Sequence, residues 1–262
     1  MLIVTSKHDE DELARWLALE RQDAVVAQLR AHRRKVDGAL HAIERFAASG
    51  PFYAGVSWGK DSVCLADLVF QVAPATPLVW IRIEPVKNPE CLLVRDAFLG
   101  LHPGVVYHEE VVHYEPGETA WTPGFGPEKT RAVTPAHTRG FRSAARALST
   151  DRYCSGIRAE EACRRRERMQ RHGYETARTC APLGWWTAAD VFAHLFAHGL
   201  PVHPAYAYTM RGAWNRDRLR VDALWGPTGQ GSGRRAWEAH YYPDELRAME
   251  RWCARVEAEV SG

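Results

Sequence analysis

The residues of this 262-residue chain best suited to chemistry are Ser57, Trp58, Gly59, Lys60, Asp61 and Ser62. They form a glycine-lysine turn between two apolar runs. The run before it, Phe52 to Val56, reads as a buried strand, and the run after it, Val63 to Gln71, reads as a helix. A strand, a tight loop and a helix N-terminus together make an anion site. Backbone N–H groups and the helix dipole aim at one point, and Lys60 adds a full positive charge. A phosphate group is the expected ligand, most simply the pyrophosphate end of ATP. Asp61 has two readings at this point, a Mg²⁺ contact or a helix N-cap. A chance turn followed by a capped helix is the bland alternative for the whole segment.

The loop differs from the Walker type, which requires Gly five residues before the Gly-Lys pair and Ser or Thr after the Lys. Those positions hold Ala54 and Asp61. A second cluster, Gly156-Ile157-Arg158-Ala159-Glu160-Glu161, closes another strand reading, 152–158, and precedes a very basic helix, Cys163 to His172. Arg158 at that strand end is suited to clamp phosphate or sulfate oxygens with two N–H groups. Glu161 is placed to orient it. Arg164, Arg165, Arg166 and Arg168 cannot all share one face, so most of them are expected in solvent.

These clusters need a scaffold. Residues 78–83 read as a second buried strand, 88–98 as its crossover helix, 105–112 as a third strand and 135–148 as a further helix. Alternation of strand and helix predicts an α/β, Rossmann-like, doubly wound and mostly parallel sheet. Such sheets bind ligands at the carboxyl ends of strands, at a switch in strand order. Residues 10–48 read as helical, with a break near Arg21 or Gly38. Thr187 and Asp190 open another helix as a near capping box, and a last helix runs from Pro243 to about Val260. The stretch 115–135, with Trp121 and Phe125, reads as a long loop, either a lid or a surface excursion. Residues 226–233 read as a Gly-rich flexible link. The expected organisation is an N-terminal helical arm (1–49), a nucleotide-binding domain (50–206) and a C-terminal loop and helix extension (207–262).

Composition narrows the function classes. Hydrophobic residues make up 46%, enough for a sizeable core, and the net charge of +2 argues against wholesale nucleic-acid binding. No early apolar segment resembles a signal peptide or a membrane span. The six cysteines, Cys64, Cys91, Cys154, Cys163, Cys180 and Cys253, are scattered without a C-x-x-C pair. No iron–sulfur cluster or zinc is therefore expected, and a reducing cytoplasm is the default compartment. His198, His203 and His240 read as ordinary polar residues, His203 being the nearest to the site. Arg211, Arg216, Arg218, Arg220, Arg234 and Arg235, with Trp214, Trp225 and Trp237, suit acceptor binding or packing better than nucleic acid.

Three ordered pieces carry a resemblance. They are Ser-x-Gly-Lys-Asp-Ser at 57–62, Gly-x-Arg-x-x-Glu at 156–161, and Pro-Leu-x-x-Trp-Thr-x-x-Asp-Val at 182–191 followed by Leu-Pro-x-x-Pro-x-Tyr at 200–206. Across roughly 50–206 the chain resembles the phosphoadenosine-phosphosulfate reductase family of the PP-loop ATP-pyrophosphatase superfamily. That family spans phosphosulfate reductases, the small subunit of bacterial sulfate adenylyltransferase, eukaryotic-type FAD synthetases and DNA phosphorothioation proteins. Trp58 replaces the first Gly of the loop pattern, and a residue with a Cβ prefers φ below zero.

The resemblance implies an adenine-nucleotide alpha-hydrolase-like fold. Ser57, Gly59, Lys60, Asp61 and Ser62 would hold phosphates, with Trp58 in the same loop. Backbone groups near Arg82 and Ile83 would meet the adenine or ribose. Gly156, Arg158 and Glu161 would serve the phosphate or sulfate, and Lys60, Asp61 and Arg158 would carry catalysis. A reductase of this family needs a nucleophilic Cys on a mobile C-terminal segment, and Cys253 reads instead as a helical, packed residue. The expectation is therefore an enzyme that cleaves ATP, with Mg²⁺, between the α and β phosphates and transfers adenylyl to an unidentified acceptor. Two alternatives stay open. One is a reductase or sulfotransferase-like enzyme taking PAPS or APS. The other is a nucleotide-binding subunit of a nucleic-acid modification complex. A homodimer or a partner subunit is compatible with either.

Overall fold

The computed structural model describes residues 1–113, 133–224 and 233–261. The long loop with Trp121 and Phe125, and most of the Gly-rich link with Trp225, lie outside the described residues. Among the described residues the centre is a five-stranded, all-parallel sheet in the order β3-β2-β1-β4-β5. Its strands are β1 (Tyr53–Val56), β2 (Leu78–Glu84), β3 (Tyr107–His113), β4 (Tyr153–Ser155) and β5 (Thr179–Cys180). After β3 the chain returns to the far side of β1. That reversal places a switch point between β1 and β4, where the doubly wound reading expects a ligand.

Strand residues alternate between the two faces, as a pleated strand requires. Ala54, Val56, Leu78, Trp80 and Cys154 face the main core. Tyr53 and Val79 face the opposite side and pack with Ala144 of α5 (Val133–Ala147). At Gly140 of that helix a Cβ would sit 2.4 Å from Ile81 Cγ2, so only glycine allows the close contact between helix and sheet. The main core is covered by α3 (Lys60–Val72), α4 (Glu90–Leu101) and α7 (Ala188–Ala197), with α1 (Glu10–Gln28) against α7 and α2 (Arg30–Ala48) against α3.

The N-terminal helical arm breaks at Leu29, which is extended (φ −68°, ψ 136°), and not at Arg21 or Gly38. Helices α6 (Cys163–His172), α8 (Arg234–Tyr241) and α9 (Pro243–Ser261) complete the chain. The short α8 and the two-residue β5 have no counterpart in the sequence reading. Leu219, Val221, Leu224, Trp237, Tyr241, Tyr242 and Met249 belong to the same hydrophobic cluster as the sheet, so the C-terminal extension shares its core. Among the described residues no helix is long and apolar enough to cross a membrane.

Candidate active site

The loop between β1 and α3 turns at Trp58, whose φ is +63°. This is the left-handed region, which costs a residue with a Cβ about 1–2 kcal/mol. The indole offsets that cost by burial. It is fully inaccessible, lies edge-on to Trp80 (6.3 Å between ring centroids), and touches Phe98 (5.7 Å) and Tyr107 (5.8 Å). Removing an aromatic surface of about 200 Å² from water is worth roughly 5 kcal/mol. The bend that a glycine would adopt is thus kept by an anchored tryptophan.

Gly59, not Asp61, is the N-cap of α3, and it offers no side-chain cap. Asp61 sits in the first turn, where its two oxygens meet two cations. Lys60 Nζ lies 2.8 Å from Oδ2, and Arg158 Nε donates to Oδ1 at 2.6 Å. The backbone N–H of Lys60 donates to the Tyr206 hydroxyl at 3.0 Å. Ser62 Oγ donates to the Gly59 carbonyl (3.0 Å), so this hydroxyl serves the helix start. Ser57 is half-buried at the mouth of the loop.

Arg158 reaches this point because Gly156 lets β4 close on α3. A Cβ there would lie 3.0 Å from the Asp61 carbonyl oxygen. The guanidinium is buried (2% exposed), and its Nη1 bonds the Glu160 carboxylate. Glu160 also accepts the Ala188 N–H at 2.8 Å, tying the cluster to α7. Burial works against the charged guanidinium, but Asp61, Glu160 and Glu161 outweigh it and raise the Arg158 pKa.

Glu161, expected to orient the guanidinium, instead accepts the Arg158 backbone N–H (2.9 Å) and pairs with Arg165. The 3₁₀ turn at Ala159–Glu161 brings Glu160 under Arg158. Sequence reasoning passed over Glu160 although it stands in the same motif. It also missed the tie from Tyr206 to the loop, although that tyrosine closes the third matching segment.

Arg82 and Ile83, whose backbones are expected to meet the base, turn to opposite sides of β2. In the β2–β3 pairing the Leu78 N–H donates to Val106, whereas Ala54 of β1 donates to the Pro77 carbonyl. Strand alternation then turns the backbone groups of Arg82 toward β3 and those of Ile83 toward the side of β1. Strand β1 pairs only as far as Trp80, so Ile83 lies beyond the end of that strand. The Arg82 side chain is held by Glu109 at 2.6 Å and by Glu84.

Lys87, near the end of β2, is a third residue missed in the sequence. It pairs with Ala223 in an isolated antiparallel bridge. Its buried Nζ meets the Cys91 thiol and lies 3.8 Å from the centroid of the Trp80 ring. Burial lowers its pKa. Val221, beside it, is 3.5 Å from the Cβ position of Gly59.

Asp61, expected as a Mg²⁺ contact or an N-cap, holds Lys60 on one oxygen and Arg158 on the other. Two arginines of the C-terminal stretch are internal. Arg216 makes two bonds to Asp23 (2.8 and 2.6 Å), and Arg234 donates to Glu238 at 2.7 Å. Trp237 is fully buried. These residues pack the fold, which leaves Arg211, Arg218, Arg220 and Arg235 as the exposed remainder. A cavity of about 440 Å³ opens at the other end of the sheet, before β1 and β4, lined in part by Gly50, Pro51 and Arg152.

The model of the phosphoadenosine phosphosulfate reductase domain matches residues 52–212, more than half of the chain. The chain belongs to that family, whose members are PP-loop enzymes that use nucleotides such as PAPS or ATP. Among solved structures it is similar to phosphoadenylyl-sulfate (PAPS) reductase from Candida auris in a phosphate complex. The identity is 10% and the TM-score 0.49, over 86% of this chain and 98% of that one. NMN synthetase from Francisella tularensis gives 13% and 0.49, over 87% and 95%. U34-tRNA thiolase NcsA from Methanococcus maripaludis, with its 4Fe-4S cluster, gives 13% and 0.41, over 86% and 80%. No curated protein matches the chain.

Proposed function

We propose that this protein binds ATP at the switch point between β1 and β4 and transfers its adenylyl group to an acceptor, releasing pyrophosphate. A nucleophilic atom of the acceptor attacks the α-phosphorus. The bond from that phosphorus to the bridging oxygen breaks, and pyrophosphate leaves with the electron pair. One observation carries the reading. A lysine and an arginine from two separate motifs converge on one carboxylate where the strand order reverses.

In this reading Lys60 and the amides of the 57–59 loop neutralise the phosphates. Arg158 is a positioning residue that holds Asp61, and through it Lys60, against β4. Tyr206 caps the loop amide and so fixes the start of the helix. The backbone of Ile83 meets the adenine. Lys87, a buried amine over the Trp80 ring with no carboxylate hydrogen-bonded to it among the described residues, takes an anionic group of the acceptor. Mg²⁺ enters with the nucleotide's own phosphates. The protein's contribution is positioning and charge neutralisation. Cys253 falls inside α9, in regular helix, which favours this reading over a reductase that needs its thiol on a movable segment.

The test is calorimetric titration of the full chain with ATP, PAPS and APS, followed by pyrophosphate release with a panel of acceptors. ATP should bind, the Lys60→Ala variant should lose that binding, and pyrophosphate should appear with at least one acceptor. Binding of PAPS or APS with no binding of ATP would overturn the assignment.

A further inference from the structure

A second polar cluster lies on α3, one to two turns beyond the loop. Asp67 is buried there, and three donors converge on its single oxygen Oδ2. Gln71 Nε2 is at 2.7 Å, His194 Nε2 at 2.8 Å and His198 Nδ1 at 3.2 Å. Three donors exceed the two lone pairs that one carboxylate oxygen offers. His194 and His198 are four residues apart at the end of α7. They therefore share one helix face, and their rings stack with centroids 4.1 Å apart. This corrects the reading of His198 as an isolated polar side chain, since the spacing appears once His194 is paired with it.

We propose that Asp67, His194 and His198 form a binding site for a divalent transition-metal ion of the Zn²⁺ type. One ligand atom from each residue lies within 4.8 Å of the other two. A tetrahedral ion with bonds of about 2.0–2.1 Å places its ligand atoms about 3.4 Å apart, so the pairs at 2.8 and 3.2 Å open slightly and the two nitrogens draw in by about an ångström or less. Two imidazole nitrogens and one carboxylate oxygen are a donor set that suits Zn²⁺ and Co²⁺ rather than Mg²⁺ or Ca²⁺. The ion takes the place of the two histidine protons now crowded on Oδ2, and Gln71 turns outward to solvent. His194 and Asp67 are buried, while the His198 side chain is 36% exposed. That exposure provides the entry path and leaves one coordination position open. The ion bridges α7 to α3, the helix that begins with the Lys60 loop. It is distinct from the nucleotide cluster and does not depend on the nucleotide reading.

Co²⁺ titrated into the metal-stripped full chain is expected to bind at one equivalent with the visible d–d bands of a tetrahedral site. Zn²⁺ should then displace it. His198→Ala, a change at a partly exposed side chain, should weaken Co²⁺ binding by at least ~100-fold and abolish the bands. Cys163→Ser, which removes the exposed thiol, and His240→Ala should leave both unchanged. Absence of Co²⁺ binding to the wild-type chain would overturn the site. So would unchanged binding in His198→Ala, or loss of binding in Cys163→Ser.

Discussion

Helix α3 carries two ionic clusters built on opposite principles. At its first turn, Asp61 is held by an ammonium and a guanidinium, Lys60 and Arg158. Further along, Asp67 is held by two imidazoles and an amide, groups that can give up a proton or turn away. In the first cluster both oxygens are engaged by fixed cations, so it is suited to anions that compete for Lys60. In the second, removal of two protons exposes three lone-pair donors, so it is suited to a cation. One helix thus presents an anion site and a cation site on the same scaffold, and the partners of the aspartate decide which is which.

The sharpest way to break this comparison is to remove Lys60. Lys60→Ala should lower adenylyl transfer about 10²–10³-fold and abolish ATP binding, as expected for loss of one fixed cation at a charged transition state. Circular dichroism should show the fold retained, because Asp61 keeps Arg158. His198→Ala should leave ATP affinity unchanged. If both variants lost nucleotide binding equally, the two clusters would be one functional unit and the contrast would fail.

The two clusters also differed in legibility. Lys60, Asp61 and Arg158 stood in short contiguous motifs whose residue types announce an anion site, and strand, turn and helix followed in the order such a site needs. The parallel sheet was legible for the same reason, since β1 and β2 are short apolar runs bounded by turn residues. Asp67 and His194 gave no such signal. Asp67 lies inside the apolar run 63–69 and His194 on the buried face of α7, so only the packing of α7 against α3 joins them. Lys87 was equally silent, because its burial depends on a bridge to Ala223, far along the chain. The break at Leu29 was misplaced because Gly38 weakens a helix without ending it, whereas Leu29 simply turns extended. Cys253 was read as packed; its backbone is helical and its side chain lies outside the described residues.

The loop's own conformation gives the next largest effect. Trp58→Gly removes a buried indole, a loss of about 3–5 kcal/mol by analogy with Trp→Ala. It also relieves the strain of a left-handed non-glycine residue, about 1–2 kcal/mol. Chemical denaturation should therefore show a net destabilisation of about 1–4 kcal/mol, while ATP affinity stays near wild type because glycine keeps the bend. A large loss of affinity at unchanged stability would mean that the indole touches the nucleotide. Arg158→Met is expected to cost about 2–3 kcal/mol, below the usual figure for breaking a buried pair, since Asp61 retains Lys60 and Glu160 retains the Ala188 N–H. Its effect on ATP should be a weakened affinity smaller than that of Lys60→Ala, as befits a residue that acts through Asp61.

The smallest effect separates geometry from charge. Gly156→Ala adds one methyl group at a point 3.0 Å from the Asp61 carbonyl oxygen and 3.1 Å from its carbonyl carbon. The neighbour is backbone at the start of a helix, so it yields only if α3 and β4 separate by a few tenths of an ångström. Overpacking of this kind costs about 1–2 kcal/mol. No charge changes, yet the bond from Arg158 to Asp61 at 2.6 Å must lengthen or reorient. ATP affinity should fall several-fold while Co²⁺ affinity at Asp67 stays unchanged, because that oxygen lies further along α3 and faces α7. A change in metal affinity with none in ATP affinity would mean that strain at the helix start travels along α3, and that the two sites are coupled through its position rather than insulated by it.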